Sequence, residues 1–421
     1  MKSLVFTKNR ENLLKKLEDN SLLVLFAGEA KRKTADEYFP FTPNRNFYYL
    51  TGVDEEKHII MIKKINGVVD EVLYILKPNL EQERWTGKTI RDYEAKEVSG
   101  IENIKYLEEF KSDLNMIFTN GIAENLYLDL ERVSFDEEMS KSQSFAKEVK
   151  ERYPQVVIKD VYSDIASLRQ IKCKEEVEEI KKAAHITAKG VELLMKECKP
   201  GMKEYELEAY FDFNCKTKGA TGLAFTTIAA AGKNATTLHY VDNNSELKEN
   251  DLILFDLGAE YNCYNADITR TFPVNGKFTE RQKEVYNSVL KVNEEVIKLI
   301  KPGAKYKEVN EKATDLIAEE CVKLGLIKDK KDVRKYYYHS IGHSLGMDTH
   351  DIETPHRDIT FEPGVIFTVE PGIYIEEEGI GIRIEDDILV TKDGVINLSK
   401  DIIKTVDDIE EFMNKYSKKL I

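Results

Sequence analysis

The sequence predicts two domains, an α/β domain over residues 1–162 and an internally duplicated domain over residues 163–421. Three observations predict them: helical patterns alternate with short β-type runs in the first part, a long helical stretch begins near residue 174, and two segments of the second half recur in the same order. A chain of 421 residues is long for one domain and sufficient for two that each bury a core.

In the first domain the helical pattern Asn9–Asn20 is followed by the strand-length runs Leu22–Ala27, His58–Lys63, Glu71–Lys77 and Leu126–Asp129. After Tyr162-Ser163-Asp164 the pattern changes to a helix expected over Lys174–Cys198. It opens on acidic residues and closes on Lys199-Pro200-Gly201, and this places the domain joint. The stretch Lys199-Pro200-Gly201 to Leu207 returns 102 residues later as Lys301-Pro302-Gly303 to Val309. The segment Glu249–Gly258 is answered by Glu362–Gly372, with one residue of slip. Two copies of a helix, helix, strand-hairpin unit account for both echoes.

Composition narrows the function. The chain is 42% hydrophobic and 33% charged with no low-complexity run, as a folded protein is. Its net charge of −14 repels phosphate backbones, so neither nucleic acid nor an anionic membrane is expected as a partner. Cys173, Cys198, Cys215, Cys263 and Cys321 form no Cys-x-x-Cys pair, which fits a reducing cytoplasm. The apolar stretches Leu4–Phe6 and Leu22–Ala27 are too short for an export signal or a membrane span.

The chemistry lies in acids set among apolar residues. Leu252–Leu257 carries Asp256, and Val365–Glu370 ends on Glu370. A strand apolar on both faces is buried, and an unpaired ion there costs several kcal/mol. Each run is expected to turn back into a partner strand bearing a further acid, Asp267 or Glu385. On these strands Asp267, Thr269 and Thr271 share one face, as do Arg383 and Glu385. His339 and His343 have the spacing of a helical zinc pair, but Gly342 and Gly346 disfavour a helix, so a loop or strand edge is expected. Four carboxylates ~4 Å apart repel pairwise by about 4 kcal/mol at a protein-like dielectric, and two divalent cations neutralise them. Oxygen-rich ligation with one imidazole suits manganese, cobalt or iron better than a thiolate-loving ion. Taken singly, Asp256 reads more readily as a buried carboxylate held by backbone amides than as a metal ligand, and His343 more readily as a structural imidazole. The ordered set Asp, Asp, His, Glu, Glu is far more specific.

The segments Asp256–Glu260, Ala266–Gly276, His339–Asp351, Glu370–Tyr374 and Gly381–Asp387 resemble the pita-bread metallopeptidases, and among them aminopeptidase P. Pro43–Gly52 is similar to part of that family's N-terminal domain, so the likeness spans nearly the whole chain. It implies an α/β N-terminal domain followed by an α+β pita-bread (creatinase-like) domain. It also implies an exopeptidase that releases the residue preceding a penultimate proline. By position, Asp256 would chelate one metal ion, Asp267 and Glu385 would bridge two, and His343 and Glu370 would bind the other. His239 and His350 match two family histidines that either back the metal ligands or face the substrate, His339 borders the proline pocket, and Arg383 is assigned to substrate binding. Ser340 stands where the family often has glycine.

A hydroxide bridging two cations is available near neutral pH, and the cations polarise the scissile carbonyl. In that scheme Glu370 relays a proton, while His239 and His350 stabilise the oxyanion and protonate the prolyl nitrogen. Prolidase, restricted to dipeptides, and a non-catalytic pita-bread binding protein are the alternatives. The resemblance further implies a homodimer or homotetramer, for which Trp85 is the candidate interface anchor. His58 and His185 read as structural or exposed, Cys263 as a small apolar filler, and His356 as lining a loop near the site.

Overall fold

The structure is a computed structural model that describes residues 3–352 and 359–417. The chain forms two compact units, Met1–Arg169 and Gln170–Ile421. Helix Tyr162–Arg169, which follows the boundary drawn from sequence, lies in the first unit, where Arg169 donates to Asn46 Oδ1 at 2.7 Å.

The first unit is built on a six-stranded mixed sheet in the order Asn103–Tyr106, Val68–Ile75, Ile59–Ile65, Ser21–Phe26, Asn125–Leu128, Val157–Asp160. Ser21–Phe26 is buried at every position, which is why it reads as an unbroken apolar run. Each of the four predicted runs overlaps a strand. Both edge strands escape the reading because they are half-exposed and carry Lys105, Lys159 and Asp160, so no apolar signature marks them. The first helix runs Ser3–Leu14, not Asn9–Asn20. Its core-facing side carries Asn9 and Arg10, whose Nη1 donates to the Leu50 and Ser99 carbonyls, and Asn20 turns the chain at a left-handed φ of 55°.

The second unit contains the duplication. Helices Lys174–Glu197 and Glu204–Thr217 flank Lys199-Pro200-Gly201, and Glu280–Leu299 and Tyr306–Lys323 flank Lys301-Pro302-Gly303. The two connectors make the same backbone pattern. Gly201 N donates to Leu247 O, Leu247 N to Met202 O and Glu204 N to Ser245 O. In the second copy Gly303 N donates to Phe361 O, Phe361 N to Ala304 O and Tyr306 N to Ile359 O.

Each copy then enters a long hairpin that changes pairing midway. In the first, Leu252–Leu257 pairs with Ile268–Pro273, and beyond the break Ala259–Tyr261 pairs with Tyr264–Asn265. In the second, Ile366–Val369 pairs with Asp386–Thr391, and Gly372–Ile375 with Ile380–Arg383. Asp267, Glu370 and Glu385 fall at these breaks, and Asp256 lies one residue before the end of its strand. Amides released from the ladders need partners, and the two hairpins supply them to each other. Glu385 N donates to Thr269 O at 3.1 Å, and Asp267 N to Asp387 Oδ2 at 3.4 Å. The ladder breaks therefore join the two copies and bring their acids together.

Candidate metal centre

The histidine segment follows the edge of strand Ile366–Val369, as a loop and not a helix. Ser344 bridges to Phe367, Thr368 N donates to His343 O at 2.9 Å, and Glu370 N donates to Ile341 O at 2.9 Å. A Cβ on Gly342 would stand 1.9 Å from Thr368 O, so glycine permits this approach.

His343 Nδ1 lies 3.1 Å from Ser344 O, which makes it the donor and leaves the Nε2 lone pair directed inward. Nε2 is 3.4 Å from Asp267 Oδ2 and 3.7 Å from Glu370 Oε1. Ligand atoms of Asp267, His343 and Glu385 all lie within 4.8 Å of one another. Arg383 Nη2 donates to Asp256 Oδ2 at 2.5 Å, while Asp256 Oδ1 and Asp267 Oδ1 are buried with no hydrogen-bond partner. Buried carboxylate oxygens without donors are what a cation would satisfy.

Burial, and then the charges of Glu385, Asp256, Asp387 and Glu370, push the Asp267 carboxyl well above its ordinary range. Burial and the neighbouring charges of Glu370 and Asp256 do the same to Glu385. Glu370 is pushed up to about 8, chiefly by burial and also by Asp256, against the opposing pull of Arg383. Burial lowers His343 to about 4, helped by His350, and keeps the imidazole neutral as a ligand must be. His339 is lowered to about 3 by burial and by Arg383.

The remaining predicted residues surround this cluster. His339 Nδ1 faces Ser340 O at 2.7 Å, Nε2 meets the Tyr374 hydroxyl at 2.8 Å, and Glu370 Oε2 lies 3.8 Å from Nδ1. The His350 ring packs against His343 with centroids 4.1 Å apart and planes tilted by 46°, and both His350 and His239 are exposed. Arg383, read from sequence as substrate-binding, is 3% exposed and donates to Asp256, Thr269 and Tyr374. Its guanidinium thus supports the acid cluster through Asp256. His356 lies outside the described residues. His58 is buried and His185 exposed.

Sequence reasoning missed several supports. Tyr374 joins His339 to Arg383, and Thr368 Oγ1 accepts from His343 N at 3.1 Å. Asn293 Nδ2 donates to the Val369 and Ile384 carbonyls beside two of the acids. A tyrosine two residues beyond Pro371-Gly372 was visible, but hydroxyl and amide groups carry no spacing signature that marks them as supports.

The model for Metallopeptidase family M24 matches residues 178–392, and that for the aminopeptidase P N-terminal domain matches residues 6–127. The chain belongs to the aminopeptidase P group of family M24. It is 33% identical to the Xaa-Pro aminopeptidase of Escherichia coli, over 97% of each chain. It resembles the solved structure of a Bacillus anthracis protein assigned as an aminopeptidase P, with TM-score 0.97 and 50% identity over 99% of each chain. It also resembles E. coli aminopeptidase P with the inhibitor Pro-Leu, with TM-score 0.91 and 31% identity over 99% of each chain. Membership of family M24 implies divalent metal ions, and the donor set of Asp267, His343 and Glu385 fits them. Among the described residues no helix is long and apolar enough to cross a membrane.

Proposed function

We propose that Asp256, Asp267, His343, Glu370 and Glu385 together hold two divalent ions, Mn2+ in preference to Co2+, Fe2+ or Zn2+. The chain is a metal-dependent exopeptidase that releases the N-terminal residue from peptides with proline in second position. The observation that carries the metal assignment is the pair of buried, donor-free oxygens on Asp256 and Asp267 beside an inward-facing His343 Nε2.

Bound divalent ions supply Lewis acidity, which lowers the pKa of water and polarises a carbonyl. The chain's own residues do the rest. Glu370 accepts a proton as the nucleophile forms and passes it towards the leaving amine. His350 and His239, exposed beside the cluster, face the peptide and stabilise charge on its carbonyl oxygen. The bond to proline has no N–H, so selection rests on ring shape, with His339 at the border of the ring's pocket. That Pro-Leu inhibits the E. coli relative supports a subsite for a prolyl residue.

Self-association as a homodimer or homotetramer belongs to this reading and is supported by Trp85, which is 86% exposed. A cytoplasmic location fits cysteines that form no disulfide. Hydrolysis of an Xaa-Pro-Xaa tripeptide, compared with the Xaa-Pro dipeptide, tests the activity. Tripeptide cleavage with loss of the N-terminal residue is expected, and activity confined to the dipeptide would instead identify a prolidase.

A further inference from the structure

His350 is exposed, and an exposed imidazole keeps one position only when its backbone is held. Both of its neighbours are clamped. Thr349 Oγ1 donates to Ala224 O at 3.2 Å, and Asp351 N donates to Ser344 O at 2.9 Å. Asp351 Oδ2 also accepts from Lys172 Nζ at 2.9 Å, with side-chain exposures of 1% and 2% respectively.

A pair this deeply buried contributes little stability relative to apolar residues of the same volume, because both charges are stripped of water. Its surroundings are nevertheless shaped to it. A Cβ on Gly346 would lie 2.2 Å from Asp351 Oδ2 and 2.9 Å from Lys172 Cε, so this loop position must be glycine for the pair to form. Lys172 is itself fixed, its N–H donating to Gly364 O at 2.9 Å.

We propose that the Lys172–Asp351 ion pair is a positioning device for His350, holding that imidazole packed against His343 and turned to the substrate. The inference rests on His350 facing the substrate, as read above. Lys172 acts through Asp351 and touches no reacting atom.

The test uses the manganese-loaded enzyme and an Xaa-Pro-Xaa tripeptide. Lys172→Met is expected to lower kcat about tenfold while KM and metal content stay within about twofold of the parent. Lys172→Arg is expected to restore most of the loss. In a His350→Ala background, Lys172→Met is expected to add no further loss, because the group it positions is gone. Parental kcat in Lys172→Met, or losses that multiply in the double variant, would overturn the proposal. Should Lys172→Met fail to fold, Lys172→Met/Asp351→Asn carries no buried charge at this site and is held to the same expectations. A fully active His350→Ala would remove both the reading of His350 and this inference, whereas an impaired His350→Ala beside an unimpaired Lys172→Met would remove this inference alone.

Discussion

The Arg383 guanidinium meets the Asp256 carboxylate at 2.5 Å, setting a buried cation beside acids that raise one another's pKa. Truncation to Arg383→Met leaves Asp256 without its donor, and breaking a buried pair from one side costs about 3–5 kcal/mol. Urea denaturation of the chelated protein is expected to record that loss. Arg383→Lys is expected to recover less than half, because one ammonium cannot serve Asp256, Thr269 and Tyr374 together.

Thr269 Oγ1 donates to Glu385 Oε2 at 2.7 Å and accepts from Arg383 Nε at 3.0 Å. Thr269→Val keeps the shape and removes both bonds. The expected result is roughly 10–100-fold weaker metal binding, since outer partners orient the ligands, measured by competition with a chelator. Metal affinity equal to the parent's would remove Thr269 from the support of Glu385.

Without metal, the acid cluster makes stability depend on pH. Glu370 has its carboxyl raised from 4.5 to about 8, so the folded state binds the proton more tightly than the unfolded state does. Folding is therefore unpenalised by this group below about pH 4.5 and progressively penalised as pH rises towards 8. Glu370→Gln removes the titration, so the chelated variant is expected to be more stable than the chelated parent at pH 8, by a few kcal/mol, and to match it near pH 4.5. Melting temperatures across this range check the prediction, and parallel curves would contradict it.

A second ionic system sits behind the site. Asp386 accepts from Arg270 Nη2 and Lys404 Nζ at 2.7 Å each, and Arg270 and Asp386 are fully buried. Burial alone would raise this carboxyl, but the two cations hold it below its ordinary value. Asp386→Asn is expected to destabilise the fold by about 3–5 kcal/mol, with any loss of activity following the loss of folded protein. Intact stability in Asp386→Asn would show that the two cations do not need the charge.

The acids were legible in the sequence because charge inside an apolar run has few explanations, and the duplication was legible because Lys-Pro-Gly recurs with its helices. The histidine loop was legible through Gly342, whose missing side chain permits the contact with Thr368 O. What escaped was support made at a distance. Tyr374, Thr368 and Asn293 act through bonds that join segments far apart in the chain, or through hydroxyls with no spacing rule. The bonds of Arg383 to Asp256 and Thr269 escaped for the same reason, since they join residues far apart in the chain. The edge strands and the first helix were misjudged or missed where polar residues occupy positions that periodicity expects to be apolar.

Calorimetric titration of the chelated protein with Mn2+ addresses the central claim most directly. The parent is expected to bind two ions per chain with release of protons, and Asp267→Ala, which removes a ligand assigned to both, is expected to lose high-affinity binding of the pair. No ion binding by the parent, or two ions bound as tightly by Asp267→Ala, would contradict the account.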